Sequence, residues 1–122
     1  MELEYVKIEY KAPIIYLTFK EGVELGIPEI NELNACAKKL SDGNAYCVLC
    51  DVRVNMAGVT HEGRRLAAKP APTHKGTAVI VKNTFYQIAA TLFSKFDQPQ
   101  FPYKVFTDER EAIDWLMQLP LN

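Results

Sequence analysis

The sequence predicts a single α/β domain built on a mixed, mostly parallel sheet, and three observations carry that prediction. Strand-like apolar runs alternate with segments whose apolar residues recur every three or four positions, the pattern of strands connected by helices. The first two strand-like runs are joined by the short "KAP", which has no room for a crossover, so the chain opens with an antiparallel hairpin. A length of 122 residues, 48% of them hydrophobic, suits one buried core. The domain is read as residues 1–122.

The elements follow in order. "YVKIEY" alternates, with Val6, Ile8 and Tyr10 on one side and Tyr5, Lys7 and Glu9 on the other, as a half-exposed edge strand does. "IIYLTFK" is apolar on both faces and reads as a more covered strand. Pro28 opens a helix whose stripe is Ile30, Leu33, Ala37 and Leu40, and "SDGN" closes it. "YCVLCDV" is a continuous apolar run, hence a central strand. A short helix from about His61 to Ala68 comes next, with Thr60 as its N-cap, and "KPAPTHKG" ends it. "TAVIVK" is a second buried strand. The helix from Thr84 to Phe96 carries two apolar sets. Phe85, Ile88, Ala89, Leu92 and Phe96 are read as its core stripe, and Tyr86, Ala90 and Phe93 as a surplus face. After "DQPQFP", "YKVF" is the last strand. "TDEREAIDWLMQL" is the last helix, with Asp108 and Glu111 at capping-box spacing and Ala112, Trp115, Leu116 and Leu119 buried. Trp115 is read as a core anchor. The order is β-β-α-β-α-β-α-β-α, about five strands and four helices.

The ending "YKVFTDEREAIDWL", set after "TAVIVKNTFYQIAATLF" at this separation, resembles the SpoIIAA-like group of STAS domains (sulfate transporter and anti-sigma-factor antagonist), and within it a set of uncharacterised small bacterial proteins. The similarity is clearest from Val59 onward. It implies a SpoIIAA-like fold and a regulatory or protein-interaction role. In the anti-sigma-factor antagonists a phosphorylatable Ser lies in a D-S-S-G motif at the start of the helix after the central strand. The corresponding stretch here is Val59 to Gly63, where Thr60 is the sole hydroxyl and the motif is missing, so the partner-switching role is not carried over. Thr60 remains either a plain N-cap or a phosphate acceptor beside Arg64 and Arg65.

Charge is distributed unevenly. The net charge is −1, but residues 1–34 hold seven acids against three lysines, while residues 52–82 hold six Lys or Arg against Glu62 alone. No apolar run reaches the length of a membrane span, and the acidic, alternating N-terminus is unlike a targeting peptide, so a cytoplasmic protein is expected. Cys36, Cys47 and Cys50 lie in apolar surroundings and fit a reducing compartment. Cys47 and Cys50 stand three apart in a strand and point to opposite faces, which suits core thiols rather than a redox or metal pair.

No motif carries catalysis. There is no Walker A loop, no GxGxxG, no nucleophile elbow and no zinc spacing around His61 or His74, which are read as surface histidines. Neither a cofactor nor a metal is expected, nor an enzyme. A sequence pI near 6.1 without a binding motif speaks against nucleic acid.

What remains is the basic segment that leaves the carboxyl end of the central strand, where ligands collect in open parallel sheets. Arg53, Thr60, Arg64, Arg65, Lys69, His74 and Lys75 form the candidate site for an anionic ligand or partner; the alternative is a solvated loop. Tyr86, Ala90 and Phe93 are the candidate interface of a homodimer. The expected function is a non-enzymatic regulatory or protein-interaction module. The alternative is a carrier of a small apolar or amphipathic anion such as a fatty acid.

Overall fold

In a computed structural model the chain forms the expected α/β domain. The structure describes residues 1–54, 58–69 and 71–121, with the side chains of residues 92–97 outside the description. The elements are β1 (Val6–Lys11), β2 (Ile14–Phe19), β3 (Glu24–Leu25), α1 (Ile27–Leu40), β4 (Tyr46–Asp51), β5 (Gly58–Val59), α2 (His61–Ala67), β6 (His74–Ile80), α3 (Thr84–Asp97), β7 (Tyr103–Phe106) and α4 (Glu109–Met117).

Five strands form the main sheet in the order β1-β2-β4-β6-β7. β1 and β2 pair antiparallel, and β2, β4, β6 and β7 run parallel. The parallel strands advance in one direction across the sheet. Crossovers of one hand therefore bring α1, α2 and α3 to the same face, and α4, which follows the last strand, returns over the other. Strand side chains alternate between the two faces. Ile8, Ile15, Leu17, Phe19 and Tyr46 share a cluster with Ile30, Leu33 and Ala37 of α1. Ile14, Cys47, Leu49, Ala78, Ile80 and Phe106 share one with Ala112 and Leu116 of α4. Each fully buried aliphatic side chain contributes roughly 1.5–3 kcal/mol.

Helix ends follow local chemistry. Glu29 Oε1 accepts from the Gly26 backbone N–H at 2.8 Å, ahead of α1. At the other end Asp42 and Gly43 both take positive φ, and their N–H groups donate to Lys39 and Lys38 carbonyls, closing a Schellman motif. The left-handed position after the cap is thus Asp42, one residue earlier than the glycine in "SDGN". Asp108 Oδ2 accepts from Glu111 N–H at 3.1 Å and starts α4.

Two features differ from the sequence reading. β3 and β5 form a separate two-residue parallel sheet, too short to leave a periodic pattern; it ties the start of α1 to the start of α2. In α3, Phe85 is 75% exposed and Ile88 58% exposed, so these two residues of the expected core stripe point outward, while Ala89 is half-buried and the side chains of Leu92 and Phe96 lie outside the described residues. The sheet takes the adjoining stripe instead, with Gln87 Nε2 donating to the Val105 carbonyl at 3.1 Å. A helix that is apolar on two sides fits the 3.6-residue period in either phase, and its packing decides which is used. Trp115 is half-buried, its ring 5.8 Å from that of Phe106 on the α4 face. Among the described residues no helix is long and apolar enough to cross a membrane.

Candidate functional site

The site residues expected from sequence separate into three groups. Arg53 lies on the α4 side, where its guanidinium takes both oxygens of Asp51 at 3.0 and 2.7 Å and reaches Glu109 at 3.5 Å. Burial pushes the Asp51 carboxyl up, but the hydrogen bonds and charge of Arg53 outweigh it and hold Asp51 below its ordinary range. The Arg53 charge is therefore already engaged within the fold. Arg65, Lys69 and His61 are exposed, and Lys75 donates to the Pro72 carbonyl at 3.1 Å. Thr60 is the N-cap of α2, its Oγ1 accepting from Gly63 N–H at 3.0 Å.

Arg64 and His74 meet in the third group, around a cavity of about 530 Å³ between the sheet and α1, α2 and α3. The floor is the face of β2, β4 and β6 opposite α4, with Leu17, Val48, Cys50 and Val79 among its residues. Leu33 and Ala37 enter from α1, Arg64 from α2, and Tyr86 and Ala90 from α3. The wall is thus mostly aliphatic and aromatic, with one guanidinium from the basic segment. The volume falls within the range of small-molecule sites. Of the expected dimer residues, Tyr86 and Ala90 belong to this wall, and the side chain of Phe93 lies outside the described residues.

His74 is not a surface histidine. It is the first residue of β6, its ring stacked on that of Tyr46 (centroids 5.6 Å apart, planes within 7°) and in contact with the ring of Phe101 (4.3 Å, tilted by 46°). Its Nε2 lies 2.7 Å from Thr77 Oγ1 and 3.1 Å from the Gly76 carbonyl. Burial lowers its pKa below the ordinary value, opposed by the Gly76 contact, which favours the protonated ring. Sequence reading missed this because Phe101 arrives from the distant "DQPQFP" loop. It missed the cavity as well; the available signal was the surplus of apolar positions on α3.

The cysteines divide as expected. Cys47 faces α4 and Cys50 faces the cavity. Burial, with a smaller contribution from the Asp51 charge, pushes the Cys50 thiol up to about 12, far from the thiolate that redox or metal chemistry needs. All three cysteines are free thiols, and the described residues contain no cluster of three His, Cys, Asp or Glu placed to hold a metal.

Comparison with known proteins places the chain in a family without a known activity. Residues 7–120 match the family described as "Domain of unknown function (DUF7793)". Among solved structures, the chain is similar to an uncharacterized protein of the DUF3478 family with a SpoIIAA-like fold from Shewanella loihica PV-4. That likeness has 22% identity, a TM-score of 0.59, and covers 91% of each chain. It shows the fold, which is SpoIIAA-like. No curated protein matches the chain.

Proposed function

The chain belongs to the DUF7793 family, and we propose that its SpoIIAA-like fold serves as a non-enzymatic binding module for a small amphipathic anion. One observation carries the reading: an apolar cavity of about 530 Å³ whose wall includes Arg64. The apolar body of the ligand occupies the cavity, and its carboxylate or phosphate meets the guanidinium, the side chain best suited to such groups. Arg65, Lys69 and Lys75, on the same segment, draw anions toward the site over a Debye length of about 8 Å at physiological salt. Binding rather than thiol chemistry is supported by the state of Cys50 in the wall, whose thiol stays protonated. A cytoplasmic setting fits three free thiols.

A second reading, a protein partner or a second copy of the chain, draws on the exposed Phe85 and Ile88 of α3. Native mass spectrometry of protein purified from its own source separates the two. A bound mass of constant value supports the ligand; a dimer without one supports the partner.

Calorimetric titration with decanoate tests the ligand reading directly. Arg64→Gln keeps much of the stem and removes the charge. A charge-assisted hydrogen bond is worth about 1.5–3 kcal/mol, so the variant should bind roughly ten- to a hundredfold more weakly. Equal affinity in both proteins would remove Arg64 from the site.

A further inference from the structure

The long axis of the cavity follows one strand. β4 lines it with every second residue, Tyr46, Val48, Cys50 and Val52, a run of about 20 Å at roughly 3.3 Å per residue. Strand register sets the neighbours of that column: Ile15 and Thr77 flank Val48, and Leu17 and Val79 flank Cys50. Burial shows how much of this floor is open. Ile15 and Leu17 are covered by α1, with which they share a core cluster, and Thr77 is buried on the β6 side. Val48, Cys50 and Val52 are half-buried, and of their flanking residues Val79 alone is as open. The open floor is therefore a groove along β4 about one strand spacing wide, roughly 5 Å, and broader at Val79. A volume of about 530 Å³ spread over that length gives the same width, about 5 Å.

That shape suits a chain and not a ring system. Carbon atoms in contact stand about 3.5–4.0 Å apart, so a groove of this width receives one unbranched chain and excludes a branched or fused body. The walls above it are kept low by Ala37 of α1, Ala67 of α2 and Ala90 of α3. Along the open column the only polar group is the Cys50 thiol, which stays protonated. A polar substituent midway along the ligand would lose its water there without replacement. Bonds of about 1.5 Å meeting at about 111° advance an extended chain by about 1.25 Å per carbon, so about sixteen carbons span the groove and decanoate spans roughly half of it.

Resting on the amphipathic-anion reading above, we infer that the ligand is a long unbranched aliphatic anion whose chain lies along β4 over Val48, Cys50 and Val52. Three probes, each kept below its micelle concentration, test this by calorimetry on the wild-type protein: decanoate, hexadecanoate, and 1-adamantanecarboxylate, a rigid cage with about as many carbons as decanoate. Each buried methylene is worth about fourfold in affinity. Hexadecanoate should therefore bind at least a hundredfold more tightly than decanoate, and the cage at least tenfold more weakly. Cys50→Phe plugs the groove at its middle and should weaken hexadecanoate at least a hundredfold, whichever way the chain points. Similar affinities for all three probes in wild type, each weakened by Arg64→Gln, overturn the groove inference and leave the anion reading standing. Undiminished hexadecanoate binding by a folded Cys50→Phe protein also overturns it, since the chain would then lie elsewhere. Failure of all three probes to bind overturns both readings. The wild-type comparison decides the matter even if Cys50→Phe does not fold.

Discussion

A single imidazole shows how far a residue's chemistry depends on chain segments distant from it. In sequence, His74 follows "KPAPT" and looks like one more polar residue in a basic loop; in the fold its ring stacks on that of Tyr46 and meets the tilted ring of Phe101. Its pKa is lowered mainly by burial, so the folded protein resists protonating it while the unfolded chain does not. The sign follows from linkage: stability is fully present above the ordinary value of 6.5 and declines as pH falls below it, until the folded pKa is passed. Denaturant unfolding at pH 7.5 and pH 5.5 should therefore show a larger loss for wild type than for His74→Phe. The carboxylates common to both proteins cancel in that difference. Equal losses would mean that His74 titrates as freely as an exposed histidine. Arg53 teaches the same lesson with the opposite outcome: read as a free cation beside the basic segment, it is held by Asp51 and Glu109 near α4.

At the scale of elements, the sequence was most informative where one period had one solution. The hairpin, α1 with Ile30, Leu33 and Ala37, and α4 with Ala112 and Leu116 all follow from a single apolar stripe. α3 carries two stripes, so its phase could not be read before the sheet was in place, and Phe85 and Ile88 emerged on the outside. The β3–β5 sheet left no pattern, yet it fixes where α2 begins, since Thr60 N–H donates to the Leu25 carbonyl at 2.8 Å. Gly63 lies under that junction. A Cβ there would come within 3.1 Å of the Leu25 carbonyl oxygen and 3.3 Å of Gly26 Cα. Both are backbone atoms, and Leu25 is pinned by the Thr60 hydrogen bond, so neither can yield cheaply. Alanine gains about 1 kcal/mol of helix propensity over glycine, whereas overpacking of this kind costs about 1–3 kcal/mol. Gly63→Ala should thus lower stability by up to about 2 kcal/mol in denaturant melts. A stabilised variant would show that α2 can shift away from α1.

For the whole molecule, the α/β class, the five-strand main sheet and the SpoIIAA-like likeness were legible because alternation and crossover direction are properties of the chain order. The cavity was not, because a space of this kind depends on how three helices stand off one sheet face, and no local pattern encodes that distance. The surplus apolar surface of α3 was noticed without its direction; Tyr86 and Ala90 turn part of it inward. The central claim is that this space receives an amphipathic anion, and filling it tests that most directly. Val48, half-buried in the cavity wall on β4, is the place to do so. In a filled core, Val48→Phe would cost about 1–3 kcal/mol; in an open cavity the ring has somewhere to go. The deciding measurement is calorimetric titration of decanoate into wild type and Val48→Phe, with the unfolding midpoint of each recorded alongside. The expected result is a variant about as stable as wild type whose affinity for decanoate falls at least tenfold. Undiminished decanoate binding by a folded Val48→Phe protein would contradict the claim.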